Sequence, residues 1–511
     1  MLKKGSSEIF IGFAAAIVGL ALVFSFYLFS LDIRWLGVLL LAFIGIGVFQ
    51  LIEEKEKLLL HMVFFLLPFT AGFMYSPLIV HDLFFGFDLI FFLLVTWWLI
   101  ETHGFQTTGL YIHKSTVPGI LMVIWGAVGV MFCVSRMSAL LGTFLLFKAF
   151  LFYFYIINKI KFKYQLKIIM NMLLLGIGIQ GLLGFLQKLV GHGLGLSFLG
   201  EKQVSYWEST SRVRGTLAVP NQYGAYMILL MPIAISFYIS AKTKREKLWY
   251  GAIIMFSMFG LFFSLSRSSW FGLIGAILVM LFLLYREGQL KPSFLRGVLL
   301  VCLIMVIFAV VFWDVIVLRF ETGEQGEHRS TMIEVAFPII LSHPIFGVGK
   351  FNYQYHSFTS FRFWHPVHNT ILRVTAEMGF PGIILFLLFV GIIIKEALNN
   401  LKLKDTYLRA LALGVIGGYT AFLIAVQFGP QYQHYRQKVL FWILAAITVA
   451  SKRIAKNELL MFNKQKMLAL KTESGPLKRK DQDQQKAIEL SEIQGPMSRK
   501  QFPLGLHRRT L

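Results

Sequence analysis

Charge, cysteine and the signatures of soluble enzymes are what this 511-residue sequence has least of. Only 15% of its residues are charged while 57% are hydrophobic, a mix that excludes a water-soluble domain of this length. Its two cysteines, Cys133 and Cys302, both sit inside apolar runs with no partner spacing, which excludes a disulfide framework or a cysteine-based metal site. A Walker sequence, a Gly-rich dinucleotide loop and an HExxH pair are all missing. So, in the segments expected to face away from the cytoplasm, is any pair of acidic residues at a spacing suited to a divalent metal. Glu321, Glu324 and Glu327 recur at intervals of three, and they read as a solvated charge run.

What is present is a series of apolar runs, each long enough to cross a hydrocarbon core of roughly 30 Å as a helix. Helices are required there because unpaired backbone groups cannot face lipid. The expected fold is an all-α polytopic integral membrane protein. About 14 transmembrane helices are expected, at roughly 9–29, 35–52, 58–76, 83–100, 117–135, 138–157, 168–190, 221–240, 248–266, 270–285, 297–318, 379–395, 408–427 and 437–451. Met1-Leu2-Lys3-Lys4 and the run after it resemble a signal peptide, but the run is long and lacks a small-residue cleavage site, so it reads as a retained first span.

The formal net charge of +23 does not point to nucleic acid, because the basic residues lie in short loops and in the C-terminal tail instead of in a folded soluble module. Membrane topology and anionic lipid headgroups account for them. Lys159, Lys161, Lys163 and Lys167, then Lys242, Lys244, Arg245 and Lys247, then Lys395, Lys402, Lys404 and Arg409 fall in three loops on one side. An excess of Lys and Arg marks cytoplasmic loops, so that side is expected to be cytoplasmic, with both termini. A transmembrane domain over 1–451 and a basic, largely disordered cytoplasmic tail over 452–511 follow. Two long loops, about 191–220 and 319–378, then face outward, and outward loops are where chemistry is expected.

Four groups of residues stand out. Arg212-Val213-Arg214-Gly215-Thr216 precedes Pro220-Asn221-Gln222. Paired guanidinium forks match the oxygens of a diphosphate, although arginines at an interface also snorkel to headgroups. Ser264-Leu265-Ser266-Arg267 forms a tight outward turn, where an arginine at the membrane boundary needs a partner or a wet cavity and the serines are placed to cap the next helix. Arg329 opens an amphipathic helix that passes Pro338 and Ile339 and leads to Ser342-His343-Pro344-Ile345-Phe346-Gly347-Val348-Gly349. His365-Pro366-Val367-His368-Asn369-Thr370 follows, ahead of Glu377 and Gly379. A histidine near neutral pKa can take the proton of a sugar hydroxyl, with Asn369 to orient it or to bind sugar. A lone surface histidine is also commonly inert.

These motifs together resemble the O-antigen ligase and polymerase superfamily, integral membrane glycosyltransferases that use polyprenyl-diphosphate-linked glycans outside the cytoplasm. The resemblance covers about 160–400 and rests most on the run from Arg329 through His343-Pro344 and Gly347-Val348-Gly349 to His368-Asn369 and Glu377-Met378-Gly379-Phe380-Pro381-Gly382. It implies a metal-independent enzyme without cofactors in a bacterial inner membrane. Arg267 and Arg329 would hold the donor diphosphate, and His368 would activate the acceptor hydroxyl. Arg214, Arg212, Asn221 and Asn369 would bind substrate. The implied partners are the lipid-linked glycan donor, a glycan or lipid-glycan acceptor, membrane lipids and other polysaccharide-assembly proteins, with no nucleic acid. Fourteen spans and the long tail depart from the more compact ligases and favour a polymerase. The alternatives are a solute transporter or a non-catalytic assembly protein. Transport is disfavoured because few charges lie within the spans and no internal repeat is visible.

The topology is open to direct test. An impermeant maleimide should reach a cysteine placed at Ser357 in intact cells and one at Ser474 only after permeabilisation; the reverse pattern inverts the orientation.

Overall fold

The computed structural model describes residues 54–69, 75–76, 81–82, 85–102, 109–207, 210–288, a few positions between 306 and 317, 325–362 and 367–473. The crossings expected at 9–29, 35–52 and most of 297–318 lie outside the described residues, as does the chain beyond 473. The described helices are α1 (Lys55–Leu66), α2 (Gly86–Glu101), α3 (Thr116–Gly129), α4 (Arg136–Lys159), α5 (Lys163–Val190), α6 (Pro220–Ser240), α7 (Lys244–Phe263), α8 (Arg267–Arg286), α9 (Gln325–Ser342), α10 (Tyr353–Phe361), α11 (Thr370–Asn400), α12 (Thr406–Ala425) and α13 (Tyr435–Glu473). Two short antiparallel hairpins, β1 (Tyr75–Ser76) with β2 (His81–Asp82) and β3 (Ser205–Trp207) with β4 (Thr210–Arg212), are the strands among the described residues.

Seven helices, α4 to α8, α11 and α12, are long and apolar enough to cross a membrane, so the all-α membrane class holds. Each remaining expected crossing falls on a described helix. The segment expected at 58–76 is cut short, because α1 stops at Leu66 just before Pro68, which has no N–H to continue the ladder. The last expected span, 437–451, is the inner part of a helix that runs on to Glu473.

Residues 439–447 of α13 are all fully buried, the pattern of a helix enclosed by neighbours on every side. Trp442 packs on Phe150, Tyr153 and Phe389. Around it the helices approach closely wherever one of them presents glycine. A Cβ at Gly418 of α12 would lie 2.3 Å from the Leu229 carbonyl of α6, and one at Gly272 of α8 would lie 2.4 Å from the Ala421 carbonyl of α12. Small residues of this kind are what draws helices together in lipid, where burial of apolar surface gives little drive.

The basic loops do gather at one end. Lys163 pairs with Asp405, and its amide donates to Glu458. Arg453 and Asn457 donate to the carbonyls of Ile160 and Lys161, and Lys167 lies over the Tyr407 ring. The long loops are tied together at the other end, described below.

There α11 is interrupted. Gly379 has φ 66° and ψ −174° inside what is otherwise one continuous helix, a conformation essentially restricted to glycine. Two residues later Pro381 has no N–H to offer the Glu377 carbonyl. The freed groups are all answered from elsewhere. Val348 N–H donates to Ala376 O at 2.8 Å, Gly349 N–H to Glu377 O at 3.0 Å and Phe380 N–H to Pro344 O at 2.8 Å. Trp125 Nε1 donates to Met378 O at 2.9 Å. The turn 344–349 therefore serves as the missing hydrogen-bonding partner of a broken helix. The span expected at 379–395 begins at this break, and the helical turns from Thr370 to Met378 precede it.

The amphipathic helix expected after Arg329 is α9. Met332, Val335, Ala336, Ile339 and Ile340 are buried against Val348, Tyr353, Val367 and Ala376, while Ile333, Phe337 and Leu341 face outward. Ser357 on α10 is buried and donates to Gln354 O, so the exposed Ser360 is the residue of that helix to label.

The break predicts a contrast between two glycines of α11. At Gly379 a Cβ would meet Ile345 O at 2.1 Å, whereas at Gly391 nothing lies within 4 Å. Gly379→Ala should sharply reduce the yield of folded protein, from backbone strain of about 1–3 kcal/mol and the clash together. Gly391→Ala should be neutral or slightly stabilising. Equal yields of the two variants in a size-exclusion assay would argue against the strained turn.

Candidate functional site

The first expected group is assembled by α5. Gln187 Oε1 accepts from the Gly215 amide at 3.0 Å, and its Nε2 donates to Glu201 at 2.8 Å. Gln180 Nε2 donates to the Thr216 hydroxyl at 2.7 Å. These two glutamines hold Arg214-Gly215-Thr216 in place, with Gly215 at φ 53°. Arg212, at the end of β4, is buried. Its Nε donates to Ser264 O at 2.9 Å and its Nη2 to Asn221 Oδ1 at 2.7 Å. Arg212 and Asn221 therefore engage each other and bind the loop before α6 to the turn before α8. Arg214 is half-buried and donates to the carbonyls of Gln203 and Ala218. Burial holds its guanidinium below the ordinary arginine value.

That turn carries Arg267. Leu265 lies in the left-handed region at φ 49°, and Arg267 opens α8, half-buried. Ser266 stands at the N-cap position, but its hydroxyl pairs with Ser269 Oγ at 2.9 Å and makes no side-chain cap to a backbone amide. The expected serine cap is thus a hydroxyl pair, which adds no negative charge beside Arg267. A helix N-terminus already carries partial positive charge, so Arg267 at this point concentrates positive potential where an anion is favoured.

The second group lies at the start of α11. Val367 is buried and His368 and Asn369 are half-buried. The helix begins at Thr370, two residues past His368, and Asn369 is its cap: Oδ1 accepts from Leu372 N–H at 3.0 Å while Nδ2 reaches Gln427 Oε1 at 3.2 Å. The Thr370 amide donates to Val426 O at 2.9 Å. His368 is thus held against the chain leaving α12. The N-terminal turns of α8 pack on the same end of α12, at Ala421. The first turn of α6 joins through Gln222, 2.7 Å from His434 Nδ1. Arg212, Asn221, Arg267, His368 and Asn369 therefore border one rim around residues 421–434. Arg329 lies on α9, and its side chain is outside the described residues. Nearby, His343 and His356 meet edge to face at 5.0 Å. Burial, and then the His343 charge, depress the His356 pKa, so acidification works against this contact.

Sequence reasoning passed over the buried charges Lys350, Arg373, Lys148 and Asp88 beneath the rim, and it gave Glu377 no partner. Glu377 accepts from Lys350 Nζ and from Arg373 Nε, both at 3.0 Å. Lys148 pairs with Asp88 at 2.8 Å, and Tyr435 donates to Asp88 at 2.6 Å. Lys148, in the middle of an apolar run, was a visible signal of a hidden partner.

Fold and rim together define a multi-pass helical membrane protein with arginines, a histidine and amides gathered at the end opposite its basic loops. Residues 250–387 match the family model described as O-antigen ligase, which supports placing the protein in the O-antigen ligase and polymerase superfamily. No curated protein matches the chain. The matched stretch runs from α7 into α11 and includes Arg267, Arg329, His368 and Asn369, while Arg212, Arg214 and Asn221 precede it.

Because Arg212 makes its two hydrogen bonds buried and Arg214 makes its two half-exposed, Arg212→Lys should lower the thermal midpoint of the purified protein by removing charged hydrogen bonds worth about 1.5–3 kcal/mol each. Arg214→Lys should lower it less. A midpoint unmoved by Arg212→Lys would show that the loop and the turn are held by other means.

Proposed function

We propose that the protein is a membrane glycosyltransferase. It joins or transfers polyprenyl-diphosphate-linked saccharide units at the outer face of a bacterial inner membrane, for cell-surface polysaccharide, and the polymerase reaction is favoured over ligation. The observation that supports this reading is that the segments bearing Arg267 and His368-Asn369, both inside the family-matched stretch, pack on the same end of α12. In the proposed topology fourteen helices cross the membrane, both termini and the basic 452–511 tail are cytoplasmic, and the rim faces outward.

The proposed chemistry needs no metal. Arg267 and Arg329 hold the donor diphosphate, with forked, permanently charged donors matched to its oxygens. Arg212 and Asn221 keep the turn bearing Arg267 in place, and Arg214 contributes positive charge at the edge. His368 takes the proton of the acceptor hydroxyl as that oxygen attacks the anomeric carbon. The bond from the anomeric carbon to the diphosphate oxygen breaks, and the polyprenyl diphosphate leaves with its charge balanced by the arginines. Asn369, fixed as the cap of α11, sets the direction of the segment bearing His368.

Purified His368→Ala should stay folded and bind lipid-linked donor but transfer glycan about 10²–10⁴-fold more slowly. Arg267→Lys and Arg329→Lys should each keep charge yet lose most transfer, and EDTA should leave the native rate unchanged. Near-native turnover in His368→Ala, or a strict Mg²⁺ requirement, rules out the mechanism.

A further inference from the structure

Among the described residues, basic side chains outnumber acidic ones in the group around Glu377. Lys350, Arg373, Lys438 and Lys148 are four basic side chains and Glu377 and Asp88 two carboxylates; all six are at most 5% exposed. Asp88 neutralises Lys148, and Glu377 is shared by Lys350 and Arg373. Lys438, fully buried in the first turn of α13, is left over. Its Nζ makes no hydrogen bond or ion pair among the described residues, and the charges facing it are Lys350, Glu377, Arg373 and Lys148. The rings of Phe351 and Tyr432 lie 5.8 Å from it on either hand; they favour a cation without accepting its hydrogen bonds.

Other donors there are equally unanswered. Gln433 turns its Oε1 to Lys350 Nζ at 3.3 Å, which fixes the orientation of its amide and leaves Nε2 without a partner among the described residues. The Tyr353 hydroxyl, buried beside Arg373, is a third such group. An uncompensated buried ammonium is costly. A neutral Lys438 Nζ would itself become an acceptor, whereas a small anion answers the charged ammonium and the Gln433 amide together.

We propose that this cluster is a binding site for one small monovalent anion of chloride size, held by Lys438 Nζ and Gln433 Nε2 against the Lys350–Glu377–Arg373 group. The near-complete burial of every member excludes a lipid headgroup or a sugar phosphate as the occupant. The bound anion would act as a structural counter-ion, tying the first turn of α13 to the broken helix α11 independently of the transfer reaction proposed above.

The test uses the full chain in lipid nanodiscs at constant ionic strength. Replacing gluconate by chloride or bromide should raise the thermal midpoint saturably in the native protein and have no such effect in Lys438→Met. That variant should be at least as stable as the native protein in gluconate, because it removes the uncompensated charge. Radiolabelled chloride should bind at one per chain and be displaced by bromide but not by gluconate, a measurement that remains decisive if Lys438→Met does not fold. A midpoint indifferent to halide, no chloride bound, or an undiminished halide response in Lys438→Met each overturns the proposal.

Discussion

The architecture of the rim depends on the hydrogen bonds left open where α11 breaks. Gly379 departs from helical geometry and Pro381 lacks an N–H, so the carbonyls of Ala376, Glu377 and Met378 lose their ordinary donors. Within a membrane protein such groups cannot turn to water at no cost. The turn 344–349 and the Trp125 indole supply the donors, which fixes α9, α10 and the outer loop onto α11 and α3. The same break points the Glu377 side chain inward to meet Lys350, the residue that follows the turn. Removing one partner of a buried ion pair of this kind costs about 3–5 kcal/mol, so the loop is anchored by charge as well as by backbone.

The other anchor is the first turn of α13. Successive helix residues point about 100° apart, so four in a row sweep the whole circumference. Tyr435 reaches Asp88 on α2, and Arg436 reaches the carbonyls of Pro68 and Thr216. Gln437 reaches Gln222 O on α6, and Lys438 faces the Glu377 group. Each of these contacts ends on a different segment, which is possible only for a helix surrounded on all sides. The loop from Val426 to His434 enters this hub and also receives Asn369, Thr370 and Gln222. His368 and the turn before Arg267 are thus positioned by one connected polar framework.

Much of this was legible in the residues. Apolar runs announce membrane helices because length and hydropathy are properties of a local stretch, and eleven expected crossings fall on described helices. The amphipathic α9 was readable for the same reason, since its buried positions recur every three or four residues. The clustering of basic loops at one end followed from their alternation between spans. The early end of α1 could have been read from Pro68.

The sequence by itself determined the class of the fold and the segments on which the candidate arginines and histidines lie. Tertiary structure alone decided the partners. Arg212 and Asn221 are nine residues apart and pair with each other around a turn more than forty residues further on. Lys350 meets Glu377, Lys148 meets Asp88, and Lys438 is enclosed with the first of these pairs. A charge inside an apolar run shows that it must be compensated, but which charge answers it depends on distances across the bundle, and those exist only once the helices have packed.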